Sequence, residues 1–206
     1  MLQLYFSPGA CSFVPHVALE AAKAEFEPKL VKLHRGEHRT PQYLALNPSA
    51  QVPVLVVEGK PLTQIVAICD FLDRRFPQAG LLPADAWERS QALSRLAWMN
   101  STPHTTMTRF FFPERYAETE TARSEVKQRA AEEFRGHLER LQEMLPEKTY
   151  CCHDAYAFTL LRWGGFAGVN PQSLPKYFLY VRKVIEAPAV QAALARERIA
   201  LDTYKA

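Results

Sequence analysis

The sequence has little charge imbalance, no long apolar run and only four cysteines among its 206 residues. Its formal net charge is +3 and its lysines and arginines form no stripe, so nothing indicates a nucleic-acid-binding face. No apolar run approaches the roughly 20 residues that span a bilayer, so we expect no membrane association. The opening segment MLQLYFSPGA lacks a basic lead and an apolar core, so we expect no signal peptide.

The cysteines are Cys11, Cys69 and the adjacent pair Cys151 and Cys152, which do not have the spacing of a disulfide framework. Free thiols are typical of a reducing compartment, so the sequence predicts a cytoplasmic protein. Adjacent cysteines are not spaced like metal ligands, and no second cluster completes a set of four. We therefore expect no metal.

Hydrophobic periodicity divides the chain into two parts. The first part predicts the order strand–helix–strand–helix–strand–strand–helix, with the second strand at residues 30–33. The rest has no strand candidate, and its helical periodicity covers residues 86–112, 121–145, 154–167, 175–185 and 188–197. The pattern predicts an α/β domain over residues 1–78 and an all-helical domain over residues 86–206, joined by a short linker.

Cys11 follows Pro8-Gly9-Ala10 at the predicted start of a helix. Unpaired N–H groups and the helix dipole favour an anion there, which would lower the pKa of the thiol. Val14 stands where a dithiol motif would have its second cysteine, which disfavours a dithiol oxidoreductase. Local features leave two interpretations open, a reactive thiol or a small buried apolar side chain.

Pro53 opens an apolar strand directly after Val52. A proline there removes one hydrogen-bond donor from the sheet, so it needs an edge, a bulge or a cis peptide bond. Because only about 5–6% of X–Pro bonds are cis, the local spacing by itself favours a trans bond.

In this order, LYFSPGACSFVPHVAL and YLALNPSAQVPVLVVEGKPLTQIVAICDFL resemble the N-terminal half of a bacterial cytosolic glutathione S-transferase of the beta class. His104, the segment DAYAFTLLRW and the segment PAVQAALARE resemble the helical half, so the resemblance covers nearly the whole chain. It implies a thioredoxin-like domain that holds glutathione and an all-helical domain that lines a pocket for a hydrophobic electrophile. It also implies a homodimer.

The resemblance also implies roles for individual residues. Pro53 is expected to be cis, with the backbone of Val52 pairing with the cysteinyl unit of glutathione. Cys11 matches the cysteine that contacts the glutathione sulfur and can form a mixed disulfide with it. His104 is expected across the site from that sulfur, and Ser12 is a candidate to donate its hydroxyl to it.

The sequence departs from the family pattern at several positions. Gln64 is followed by Ile65 instead of a small residue, where the γ-glutamyl carboxylate is expected; Ile65 keeps its backbone N–H but adds bulk. Arg35, beside His34, is a candidate for the glycine carboxylate, and Thr105 replaces a lysine. These departures keep an alternative open, a binding or interaction protein of the same fold with little catalysis.

Two further features of the helical half bear on the site. Cys151 stands where the family has a capping hydroxyl, which predicts a weak helix start three residues before Asp154. Aromatic and apolar residues that are candidates for the electrophile pocket, with the core as the alternative, are Met107, Phe110, Phe111, Phe112 and Trp163.

Overall fold

The computed structural model describes residues 1–148, 150–201 and 204. Its sheet has four strands, β1 (Leu2–Phe6), β2 (Phe26–Leu30), β3 (Val54–Val57) and β4 (Lys60–Thr63). They lie in the order β2-β1-β3-β4, with β1 parallel to β2 and antiparallel to β3. Buried Leu2, Leu4 and Phe6 alternate with half-buried residues along β1, as the period-two pattern predicts.

Nine helices complete the described part of the chain. Three accompany the strands: α1 (Phe13–Ala21), α2 (Pro41–Leu46) and α3 (Ile65–Arg75). Six follow the sheet: α4 (Ala86–Ser101), α5 (Pro103–Phe111), α6 (Glu120–Met144), α7 (Cys151–Phe166), α8 (Pro175–Glu186) and α9 (Pro188–Glu197). None of these helices is long and apolar enough to cross a membrane.

The second strand was predicted four residues too late. It covers Phe26–Leu30, and Leu33–Arg35 forms a short 3-10 turn instead. Because β2 is an edge strand that pairs only with β1, it tolerates Pro28 and polar residues and shows no clean alternation. The apolar run after Leu30 belongs to the chain that leaves the sheet.

Two helix boundaries also have local causes. Thr40 caps α2, because its Oγ1 accepts a hydrogen bond from the Tyr43 N–H at 3.3 Å. The segment predicted at residues 86–112 is two helices, α4 and α5, separated at Thr102. Pro103 follows that break as the first residue of α5, where its missing N–H costs little.

Helix α7 begins three residues before the predicted range of 154–167, and its N-cap differs from the predicted capping position by one residue. Tyr150 is the N-cap and Cys151 is already helical, and no side chain caps the helix. Asp154 lies in the first turn, where burial raises the pKa of its carboxyl to about 6. The Tyr180 hydroxyl donates a hydrogen bond to this carboxyl and opposes the rise. The expected lack of a cap is therefore observed, but Cys151 is not the capping position.

The main hydrophobic core runs through both parts of the chain. Helix α1 packs against α7 and α9 as well as against α3, and buried Phe13 contacts Phe158 with ring centroids 5.3 Å apart. The division into residues 1–78 and 86–206 stays a prediction, since the two parts share this core. The shared core fixes the loop after β1 relative to α7.

Candidate functional site

A cavity of about 610 Å³ lies between the two parts of the chain. Its first side is formed by the loop after β1, the segment before β3 and the N-terminus of α3. Its second side is formed by α5, the turn that follows it and α7. Of the site residues expected from the sequence, those that line it are Cys11, Val52, Pro53, Gln64, Ile65 and His104.

The loop after β1 is held by the helical part through Gly9. The Gly9 N–H donates to Glu197 Oε2 at 2.9 Å, and its carbonyl accepts from Trp163 Nε1 at 3.0 Å and from Arg162 at 3.3 Å. Gly9 has φ +70°, and a Cβ there would lie 2.6 Å from the Arg162 guanidinium. Only glycine fits this approach, so the loop that carries Cys11 is positioned by α7 and α9.

Cys11 lies just before α1, with 7% of its surface exposed. Its Sγ donates to the Val52 carbonyl at 3.4 Å. Burial raises the pKa of the thiol to about 12, because desolvation outweighs the favourable backbone N–H groups of Cys11 and Ser12. The expectation of a lowered thiol pKa is therefore wrong, and Cys11 is protonated at neutral pH.

Ser12 does not reach the cavity. It is fully buried, and its hydroxyl donates to the Ser7 carbonyl at 3.2 Å and accepts from the Ser7 N–H at 3.1 Å. This geometry does not support the expected donation to a sulfur in the cavity. The hydroxyl instead closes the turn that presents Cys11.

The peptide bond between Val52 and Pro53 is cis, which confirms the expectation from the resemblance and overturns the trans bond favoured by spacing. The preceding Gln51 carbonyl accepts from the Tyr43 hydroxyl at 2.7 Å and from the Asn47 side-chain amide at 2.8 Å. These bonds hold the segment against α2 and leave the Val52 backbone at the cavity wall.

The N-terminus of α3 opens on the cavity at Gln64 and Ile65. No side chain caps this helix, so the first N–H groups are available to an anion. Gln64 has φ +71°, a strained conformation for a residue with a side chain. The Ile65 side chain is 2% exposed and belongs to the main core, so its bulk does not fill the cavity.

His104 faces the loop from α5. Its ring lies 5.0 Å from Trp163 between centroids, and its Nδ1 is 2.6 Å from the Tyr156 hydroxyl oxygen. The Tyr156 hydroxyl also lies 3.1 Å from Asn100 Oδ1, so His104 Nδ1 is engaged in a hydrogen-bonded chain, and Nε2 makes no hydrogen bond to the described residues. Burial lowers the pKa of His104 to about 4, so the ring is neutral at pH 7.

Four aromatic side chains form one wall of the cavity, which we call the aromatic wall: Phe111, Phe112, Trp163 and Phe166. Phe111 contacts each of the others, with centroids 5.6–6.4 Å apart. Of the other two candidates, Met107 is fully buried in the core, and Phe110 packs against that core outside the cavity. Because Phe110, Phe111 and Phe112 are consecutive, the sequence does not show which of their rings face the cavity.

Arg35 is exposed and does not line the cavity, although His34 beside it does. The wall is continued by His38, which is 9% exposed and has no hydrogen-bond partner at Nδ1 among the described residues. The geometry therefore does not support Arg35 as a ligand residue.

Several contributors carried no sequence signal. Three residues reach the site from helices far along the chain: Tyr156, Arg162 and Glu197. The position of each is also explained by a buried or amphipathic helix.

Among the described residues, no group of three His, Cys, Asp or Glu side chains could hold a metal ion.

Comparison with known proteins identifies this arrangement. A family model described as the glutathione S-transferase N-terminal domain matches residues 1–74. Glutathione S-transferase GST-4.5 of Xanthomonas campestris is 32% identical over 95% of this chain and 98% of its own. The chain belongs to the glutathione S-transferase family. The resemblance stated from the sequence is thus confirmed, as is the thioredoxin-like domain followed by a helical one.

Solved glutathione S-transferases have the same fold over their full length. A sphingomonad glutathione S-transferase complexed with glutathione gives a TM-score of 0.83 at 33% identity, covering 96% of this chain and 100% of that one. A bacterial beta class glutathione S-transferase from Sphingomonas chungbukensis gives 0.84 at 30% identity, with coverage of 96% and 100%.

Proposed function

We propose that this glutathione transferase binds glutathione along the first side of the cavity and directs its sulfur at an electrophile on the aromatic wall. The observation that carries the proposal is the cavity itself. It joins an uncapped helix N-terminus, the Val52 backbone and the Cys11 thiol to a neutral histidine and an apolar wall. The cavity therefore has a matching surface for the carboxylate, the peptide backbone and the thiol of glutathione, and for an apolar electrophile.

The chemical groups of glutathione determine how we propose that it binds. Its γ-glutamyl carboxylate suits the uncapped N–H groups at Ile65, with Gln64 as a further polar partner. Its cysteinyl backbone suits the Val52 backbone at the cavity wall, since cis-Pro53 has no N–H to compete. This arrangement puts the glutathione sulfur near Cys11, whose thiol already points at the Val52 carbonyl.

The transfer step needs a glutathione thiolate. His104 Nε2 accepts a hydrogen bond from the glutathione thiol, since Nδ1 is engaged with Tyr156. Because burial lowers the pKa of this ring to about 4, the thiol proton passes to solvent and does not stay on His104. The protonated Cys11 thiol turns from the Val52 carbonyl and donates its one hydrogen bond to the resulting sulfur anion. The anion then forms a bond to the electrophilic carbon, and the leaving group departs with its electron pair. The site contributes proximity and electrostatic stabilisation.

A mixed disulfide at Cys11 is a second route that the resemblance implies. It requires a Cys11 thiolate, whereas burial keeps this thiol protonated. We therefore propose conjugation as the main chemistry and treat disulfide exchange as an outcome of the test.

The test is conjugation of glutathione to 1-chloro-2,4-dinitrobenzene, with glutathione binding measured by calorimetry on the same sample. Saturable rates in both reactants support the proposal. Binding with a rate equal to the buffer reaction supports the alternative, a binding protein of this fold without catalysis. Absence of both binding and rate contradicts the proposal.

We also propose a homodimer in the cytoplasm. Trp87, at the start of α4, is 73% exposed and is a candidate interface residue. All four cysteines are free thiols, which suits a reducing compartment. Light scattering tests the dimer, and Trp87→Glu should shift its mass to that of the monomer.

A further inference from the structure

The charges around the aromatic wall are all of one sign. Two arginines line the cavity, Arg115 in the turn after α5 and Arg162 in α7, and we call them the arginine pair. Within the described part of the chain, none of the lining residues is an aspartate or a glutamate. A bound molecule therefore meets two positive groups and no negative side chain.

The arginine pair flanks the aromatic wall. The Arg115 guanidinium lies 4.3 Å from the centroid of Phe112, and the Arg162 guanidinium lies 5.4 Å from that of Phe166. Since Phe111 contacts both of these rings, the surface runs without interruption from one guanidinium to the other. Stacking on rings holds a guanidinium in place and leaves its N–H groups free to bind an anion.

Neither guanidinium is neutralised inside the described structure. No carboxylate of the described residues lies within 4.0 Å of either, whereas Arg89 and Arg109 each bind a carboxylate. Glu197 acts on Arg162 through its charge, but its two oxygens already bind Gly9 and His16. Arg162 also donates to the Gly9 carbonyl, which uses one of its five N–H groups.

We propose that the electrophile conjugated here is an aromatic compound that carries an anionic group such as a carboxylate. Its ring stacks on the aromatic wall, and its anion pairs with one member of the arginine pair. This inference rests on the proposed function and narrows its substrate class. A planar guanidinium binds a carboxylate through two parallel N–H bonds, which gives orientation as well as affinity.

The test compares 4-chloro-3,5-dinitrobenzoate with its methyl ester. In both, the glutathione sulfur bonds to the carbon that bears chlorine, chloride leaves with its electron pair, and the thiol proton passes to buffer. Each rate is divided by the uncatalysed rate of the same compound. We expect a kcat/KM ratio of carboxylate to ester of about tenfold or more, the size of a hydrogen bond to a charged group.

Substitutions of Arg115 and Arg162 test whether these residues cause the preference for the carboxylate. Arg115→Gln and Arg162→Gln should each be assayed for the ratio, and the double variant should bring it to about one. Arg162→Lys keeps the charge and should retain part of the preference if the loop at Gly9 is intact. Arg135→Gln is the matched control, because Arg135 is exposed on α6 outside the cavity and the charge change is the same.

Each negative result has a different meaning. If glutathione does not bind or neither compound is conjugated, the proposed function fails. If glutathione binds and both compounds react equally, only the substrate class is wrong. If the variants raise the KM for glutathione and leave the carboxylate-to-ester ratio unchanged, the arginine pair binds the carboxylates of glutathione, which also overturns the inference.

Discussion

Glu197 is predicted to hold the loop after β1 from the far end of the chain. It is the last residue of α9, its side chain is fully buried, and its two oxygens accept from the Gly9 N–H at 2.9 Å and from His16 Nδ1 at 2.8 Å. Glu197→Ala removes both acceptors. It leaves two buried groups unpaired, at about 1–3 kcal/mol each. We expect the free energy of unfolding to fall by about 2–6 kcal/mol.

Glu197→Ala should also disturb the glutathione site, since Gly9 lies two residues before Cys11. We expect Glu197→Ala to raise the KM for glutathione, and Glu197→Gln, which keeps one acceptor oxygen, to have a smaller effect on both quantities. Urea denaturation and conjugation rates measure them. Glu186→Ala, exposed at the end of α8, is the control and should change stability by less than about 0.5 kcal/mol. A Glu197→Ala variant that matches this control would refute the reasoning.

Three other predictions concern His153, Tyr156 and Gln64. His153 is fully buried without a described partner, and burial lowers its pKa from 6.5 to about 3, so stability is full above pH 6.5 and falls as the pH drops. Between about pH 7.5 and 4.5, the free energy of unfolding measured by urea denaturation should fall by about 2–3 kcal/mol less in His153→Leu than in wild type. Equal falls in the two proteins would count against this. Tyr156→Phe should lower kcat more than glutathione affinity, because His104 Nδ1 loses its partner; an unchanged kcat would exclude a positioning role. Gln64→Gly should relieve the positive φ and raise the melting temperature while weakening glutathione binding; an unchanged affinity in calorimetry would remove Gln64 from the site.

The regular elements could be predicted because their signals are local. Thr40-Pro41 marks a helix start through capping chemistry, and the alternation in β1 marks a half-buried strand. Edge strand β2 has no buried alternation, so only its pairing with β1 locates it. Local patterns thus give the order of elements but not the bounds of those that tertiary contacts define.

The site was predictable only in part. Cys11, Pro53 and His104 lie in recognisable motifs, and all three line the cavity. Their chemical state depends on distant groups: the pKa of Cys11 follows burial, and the hydrogen bond at His104 Nδ1 involves Tyr156, 52 residues later. Local reasoning from the helix dipole gave the wrong direction for Cys11 because desolvation is the larger effect.

The central claim is that the cavity binds glutathione with its sulfur at a protonated Cys11. Calorimetric titration of reduced glutathione into wild type, Cys11→Ala and Cys11→Ser tests it most directly. The account predicts saturable binding to wild type, weaker binding to Cys11→Ala, and affinity nearer wild type for Cys11→Ser, whose hydroxyl is also a donor. Equal binding to all three would remove Cys11 from the site, and no binding to wild type would contradict the account as a whole.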